Sequence, residues 1–225
     1  MYRSDIEFTG ERVVPGKTPE EVYREHIDRY VFAATLVAGK VVLDVACGTG
    51  YGVGHVAEHG AVAAVGVDLS METVDYARER FGQDGVTSFI CADGIRLPFA
   101  DGCFDAVVSF ETIEHIRQYE EFLIECGRVL KRDGVLICST PNRRVFSPDA
   151  TIPLNPFHVY EFWPDEFLRV LRGSFGEVVL YGQCDVTLAD NTVERDRGVH
   201  GFVDDDAVTS GYMVAVARKH PGGYS

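Results

Sequence analysis

The run Val41-Val42-Leu43-Asp44-Val45-Ala46-Cys47-Gly48-Thr49-Gly50-Tyr51-Gly52 constrains this chain more than any other. A β-branched strand empties into a glycine-rich turn, an acid stands just before the glycines, and a helix follows. Strand, glycine turn and helix N-terminus form the nucleotide-type cofactor site of an open α/β sheet. The spacing excludes a dinucleotide. G-x-G-x-x-G needs a sixth-place glycine, and counting from Gly48 that place is Val53, from Gly50 His55. Asp44 would also repel a pyrophosphate.

Strands and helices alternate from this point. Apolar runs and helical periods predict strand 40–46, helix 51–59, strand 62–67, helix 71–81, strand 86–91 and strand 104–110. Helix 116–131 carries Ile116, Tyr119, Phe122, Leu123, Cys126, Val129 and Leu130 on one face. Strand 134–139, helix 164–172, strand 176–182 and a last strand at 211–218 complete the series. The alternation predicts a Rossmann-like α/β domain, a mostly parallel sheet with helices on both faces. Thr18-Pro19-Glu20-Glu21 reads as a capping box opening a helix that Gly39 closes, so residues 1–39 form a helical cap. Two stretches lack a period. Residues 141–163 hold Pro141, Pro148, Pro153 and Pro156, and residues 185–210 are long enough to read as a lid. The 225 residues fit one domain spanning 1–225.

Composition narrows the partners. The chain has 21 basic against 35 acidic residues, a formal net charge of −14. That argues against nucleic acid and anionic membranes as partners. No apolar run approaches a membrane span, and Met1–Asp5 has no leader-like apolar stretch, so a cytoplasmic protein is expected. The six cysteines show no C-x-x-C pair, so no metal site is expected and they read as small core residues.

Acids recur at the strand ends, where ligands of such sheets bind. Asp68 closes Val65-Gly66-Val67-Asp68, 24 residues beyond Asp44, and is placed to accept from two ribose hydroxyls. Asp93, in Cys91-Ala92-Asp93-Gly94, can accept from an adenine amine, and Phe110-Glu111 ends the fourth strand beside the same crevice. Asp68 and Asp93 also suit helix caps. A phosphate-free cofactor with a cationic amine and a sulfonium, S-adenosyl-L-methionine, satisfies this set of carboxylates.

With these residues assembled, the chain resembles the class I S-adenosylmethionine-dependent methyltransferases. The resemblance is carried by Leu43–Gly50, Gly66-Val67-Asp68, Ala92-Asp93-Gly94, Leu97-Pro98-Phe99, Phe104–Val107, Glu114-His115-Ile116 and Arg128–Gly134. It implies strand order 3-2-1-4-5-7-6 with strand 7 antiparallel. It also implies that Ala46, Gly48 and Gly50 approach the methionine part and that Asp44 contacts it. Asp68 would hold the ribose, Leu69 the adenine face, Asp93 and Gly94 the adenine edge, and Phe110 and Glu111 the sulfonium side. Phe8–Gly16 and Asn155-Pro156-Phe157-His158 resemble a bacterial subgroup acting on sugars and other small metabolites.

Methyl transfer from a sulfonium is an in-line displacement, so aligning the nucleophile and removing its proton are the remaining tasks. His115 is the first candidate base and His158 the second. Glu111 and Tyr160 are candidates for the acceptor, while Trp163 reads as core or pocket wall. Asp185, Asp190, Glu194, Asp196, Asp204, Asp205 and Asp206 outnumber Arg195 and Arg197 in 185–210. An acidic lid would attract a small cationic acceptor, so N-methylation of an amino sugar or aminoglycoside-type metabolite is expected. O-methylation of a sugar, quinone or phenol is the alternative, and a noncatalytic S-adenosylmethionine-binding protein a third reading. A homodimer is compatible with all three.

Overall fold

The computed structural model describes residues 6–82, 85–189, 192–193 and 198–220. Strand β1 (Val41–Val45) lies at the centre of a sheet and pairs in parallel with β2 (Ala63–Asp68) and β4 (Phe104–Phe110). Beyond them, β3 (Thr87–Cys91) pairs in parallel with β2, and β5 (Leu130–Pro141) with β4. The chain then forms β6 (Glu177–Thr187), the short β7 (Thr192–Val193) and β8 (His200–Gly201), and β9 (Val208–Arg218). The order is β3-β2-β1-β4-β5-β9-β6-β7, with β8 also on β6. β9 runs antiparallel to both β5 and β6, so the expected 3-2-1-4-5-7-6 path is present with two short strands added.

Neighbouring residues of each central strand serve opposite faces. Val42, Ala106, Val108 and Ile137 pack under α1 (Glu20–Val37), α2 (Tyr51–Glu58) and α3 (Met71–Phe81). Leu43, Val107, Leu136 and Cys138 pack under α4 (Tyr119–Val129) and α6 (Pro164–Ser174). A short α5 (Arg143–Phe146) lies between β5 and α6. Burial on both faces is why these strands read as unbroken apolar runs. Cys47, Cys126, Cys138 and Cys184 are buried as free thiols, Cys91 is half-buried and Cys103 exposed. No described helix is long and apolar enough to cross a membrane.

Three expectations need correction. Thr18 does not cap α1: its hydroxyl accepts from the Val14 amide at 2.8 Å, and extended Pro19 precedes the first helical residue, Glu20. The 116–131 helix is shorter, because Ile113–His115 form a single 3₁₀ turn and Leu130 already pairs with Phe104. Much of 185–210 is strand, since β6 runs on to Thr187 and β9 starts at Val208, with Val186 opposite Thr209. β6 runs on past the expected 176–182 through an irregularity at Cys184, whose φ is 56°.

Candidate active site

At the carboxyl ends of β1, β2 and β4 the turn after β1 is built from left-handed residues. Ala46, Gly48 and Gly50 have φ of 60°, 53° and 82°. Gly50 leaves no room for a side chain, because a Cβ there would sit 2.7 Å from Ala77 Cβ. The turn is fastened by Asp68. Its Oδ2 accepts from the Gly48 amide and its Oδ1 from the Ser70 amide, each at 2.9 Å. Asp68 therefore does structural work and still offers free lone pairs to a ligand. The exposed Asp93 likewise accepts from the Ile95 amide at 3.1 Å.

A cavity of about 1010 Å³ opens here. Ala46, Gly48, Asp68, Leu69, Asp93, Gly94, Phe110, Glu111, His115 and His158 all line it. Asp44 and Gly50 stand behind the wall, and Tyr160 and Trp163 are not on it. Tyr160 packs on Tyr119 and Phe162 and donates to Glu166 at 3.2 Å; Trp163 precedes α6 and stacks near Arg143. Nor do the described residues of 185–210 reach the cavity. Asp204 bonds Arg144 and Thr209, and Asp185 bonds Ser210. Asp190, Glu194, Arg195, Asp196 and Arg197 lie outside the described residues.

Asp44 is fully buried. Its Oδ2 accepts from the Tyr30 hydroxyl at 2.9 Å, while Oδ1 has no hydrogen-bond partner. Burial, with the Asp68 charge nearby, pushes its pKa up to about 8 despite the Tyr30 bond. A buried acid with an orphaned oxygen beside a cofactor turn fits a cationic amine. The Gly48 amide, which could otherwise meet a phosphate, is taken by Asp68.

Glu111 follows β4 at φ 51°; its amide and Oε1 both bond Ser139 Oγ, at 3.1 and 2.6 Å. Arg29, with 0% of its surface exposed, stands 3.5 Å from Glu111 and stacks on Tyr212. Next in the chain, Glu114 is buried and accepts from Thr140 at 3.0 Å; burial and then Glu111 raise its pKa well above the usual carboxylate range. His115 Nδ1 donates to the Phe157 carbonyl at 2.8 Å, and burial lowers its pKa, leaving the ring neutral with its Nε2 lone pair free. Its ring meets that of His158 edge-on at 5.0 Å. His158 Nδ1 donates to the buried Glu161 at 2.7 Å.

Several wall residues escaped the sequence reading. His26 and Tyr30 come from α1, where their spacing of four residues was a readable sign of one shared face. Burial, then Arg29, holds His26 well below the usual imidazole range. Gly10–Val13 also line the cavity; Thr49 donates to the Val13 carbonyl at 2.9 Å and Arg12 to the Thr73 hydroxyl. Asn155, Glu161 and Tyr212 join the wall from segments with no local signal of it.

Fold and site together define an open α/β protein whose strand-end cavity carries the acids expected of an adenosyl-cofactor site. Comparison with known proteins adds to this. The family of the methyltransferase domain matches residues 43–138. The chain is 38% identical over 176 residues to a "probable S-adenosylmethionine-dependent methyltransferase" of Mycolicibacterium smegmatis, covering 78% of this chain and 67% of that protein. A Mycobacterium tuberculosis protein of the same description is 36% identical over 181 residues, 79% of this chain and 64% of its own length. The chain thus spans about two thirds of the length of these relatives. A solved S-adenosylmethionine-dependent methyltransferase from Thermotoga maritima shares the fold, with TM-score 0.68 and 17% identity over 88% of this chain and 92% of that one. This chain belongs to the S-adenosylmethionine-dependent methyltransferases, and S-adenosyl-L-methionine is its cofactor.

Proposed function

We propose that the chain methylates a hydroxyl oxygen of a small polar metabolite, of the sugar, quinone or phenol kind. The observation that carries this reading is the array His115–His158–Glu161 on the cavity wall, with Glu161 buried behind His158. A hydroxyl acceptor needs a base at the moment of attack, whereas a fraction of an amine acceptor is already unprotonated near neutral pH and can attack without one. The neutral His115 supplies the lone pair for that transfer, with its ring held by the Phe157 carbonyl and backed by His158. The cofactor, when bound, supplies an electrophilic methyl group on a sulfonium. Asp68 would hold its ribose, Asp93 and Gly94 its adenine edge, and the Asp44 end its amine. Phe110 and Glu111, at the end of β4, also line the cavity.

An amino-sugar-type acceptor is the second reading. Glu11, Glu111 and Glu161 face the cavity, while Arg12 accounts for the lysines and arginines among its described lining residues. That acidic wall suits a cation. The segment 185–210, the original ground for an amine, contributes nothing to the wall from its described residues.

The test is methyl transfer to matched panels of sugars, phenols and amino sugars, with S-adenosylhomocysteine binding followed by calorimetry. His115→Ala is expected to lower kcat on the hydroxyl acceptor by about 10²–10⁴-fold and to leave S-adenosylhomocysteine affinity unchanged. Unaltered kcat removes His115 from proton transfer. Turnover confined to amines moves the second reading to first place, and binding without turnover on any panel supports a noncatalytic protein.

A further inference from the structure

Glu114 is 0% exposed, and its Oε1 has no hydrogen-bond partner. The His115 Nε2 stands 4.0 Å from that oxygen. Both imidazoles beside it are turned the same way. His115 Nδ1 donates to the Phe157 carbonyl and His158 Nδ1 to Glu161, so each ring directs the lone pair of Nε2 away from those partners. One ligand atom each from Glu114, His115 and His158 lies within 4.8 Å of the others.

We infer that Glu114, His115 and His158 hold a divalent first-row transition ion, of which zinc is the type, at the acceptor end of the cavity. Two imidazole nitrogens and one carboxylate oxygen are the donor set of open, catalytic sites. The Phe157 carbonyl and the buried Glu161 carboxylate stand where outer partners fix ring tautomer and orientation. Ligand atoms about 2.0–2.1 Å from an ion lie about 3.4 Å apart, so the three side chains close in by rotation. Asn155 Nδ2 donates to His158 Nε2 at 2.9 Å, and the ion displaces that bond.

The inference rests on reading this end of the cavity as the acceptor site, and there it gives His115 the role of ligand in place of that of proton acceptor. The open side of the ion faces the cavity, where a hydroxyl oxygen becomes a ligand and its O–H bond is weakened. The proton then leaves to solvent, because His115 as a ligand cannot take it. The oxygen lone pair forms the bond to the methyl carbon as the carbon–sulfur bond breaks, its electron pair returning to sulfur. A hydroxyl is thereby preferred over an amine, whose single lone pair the ion would occupy.

The test is titration of the chelator-treated full chain with Co²⁺, read by visible absorption and calorimetry. His115→Gln, His158→Gln and Glu161→Gln are compared, with thermal melts to check folding and S-adenosylhomocysteine binding measured on every sample. His59→Ala is the control, since His55 and His59 stack at 4.0 Å at the C-terminal end of α2 and form a second imidazole pair. One equivalent of Co²⁺ is expected, lost in His115→Gln and His158→Gln, unchanged in His59→Ala, and weakened about 10–100-fold in Glu161→Gln. A chain that binds S-adenosylhomocysteine but no Co²⁺, or that loses Co²⁺ only in His59→Ala, overturns the ion site and leaves the methyltransferase reading intact. Co²⁺ binding at the three residues without S-adenosylhomocysteine binding does the reverse.

Discussion

Asp44 shows how one residue links cofactor affinity to pH. In the folded chain it keeps its proton up to about pH 8, against an ordinary value of 3.8. The unfolded chain releases that proton near pH 4. The stability contributed by this difference is whole below about pH 4 and is lost as pH rises to about 8. A cationic ligand favours the ionised form, so binding expels the proton below pH 8. S-adenosylhomocysteine affinity is therefore expected to rise between pH 6 and 8 and level off above. Calorimetry in buffers of different ionisation heat should show proton release, and Asp44→Asn should flatten the profile. Ala46 adds a second residue-scale point. Its φ of 60° costs an L-residue roughly 1–2 kcal/mol, so Ala46→Gly is expected to leave the melting temperature unchanged or raise it.

At the scale of elements, α1 and α2 meet at a contact with no spare room. A Cβ on Gly52 would lie 2.0 Å from the Tyr30 ring. Gly52→Ala is expected to cost about 1–3 kcal/mol in a denaturant melt. It should also weaken S-adenosylhomocysteine binding, since Tyr30 carries the hydrogen bond to Asp44. The same elements show what was legible beforehand. The limits of α3 matched residue for residue, and β1, β2, β3 and β4 were found to within a residue, because strands buried on both faces leave apolar runs bounded by turns. The acids at the strand ends could be read because a strand end is a local event. Asn155, His158 and Glu161 belong to a proline-rich stretch without a period, and only the tertiary fold brings them to Glu114 and His115. Asn155 and His158 stand in a stretch that carries a resemblance, whereas Glu161 has no local sign of its place on the wall. Tyr160 is off the wall for the same reason: nothing local says that Glu161, and not its neighbour Tyr160, faces the cavity.

For the whole molecule, the charge of −14 and the acceptor cavity separate into independent features. Asp204, Asp205 and Asp206 do not line the cavity. Changing all three to Asn is expected to leave KM for a cationic acceptor unchanged. The melting temperature should fall, because Asp204 bonds Arg144 and Thr209 and Asp205 accepts from the Ala207 and Val208 amides. A raised KM would restore residues 185–210 to the acceptor's path. The position of β9 has a consequence of another kind. This strand, the last of the sheet in chain order, fills the gap between β5 and β6. During synthesis β5 therefore waits with an unpaired edge flanked by Leu136, Ile137 and Cys138 until residues 208–218 leave the ribosome. The nascent chain is most prone to aggregate over that interval, and slow translation across the last strand would prolong it.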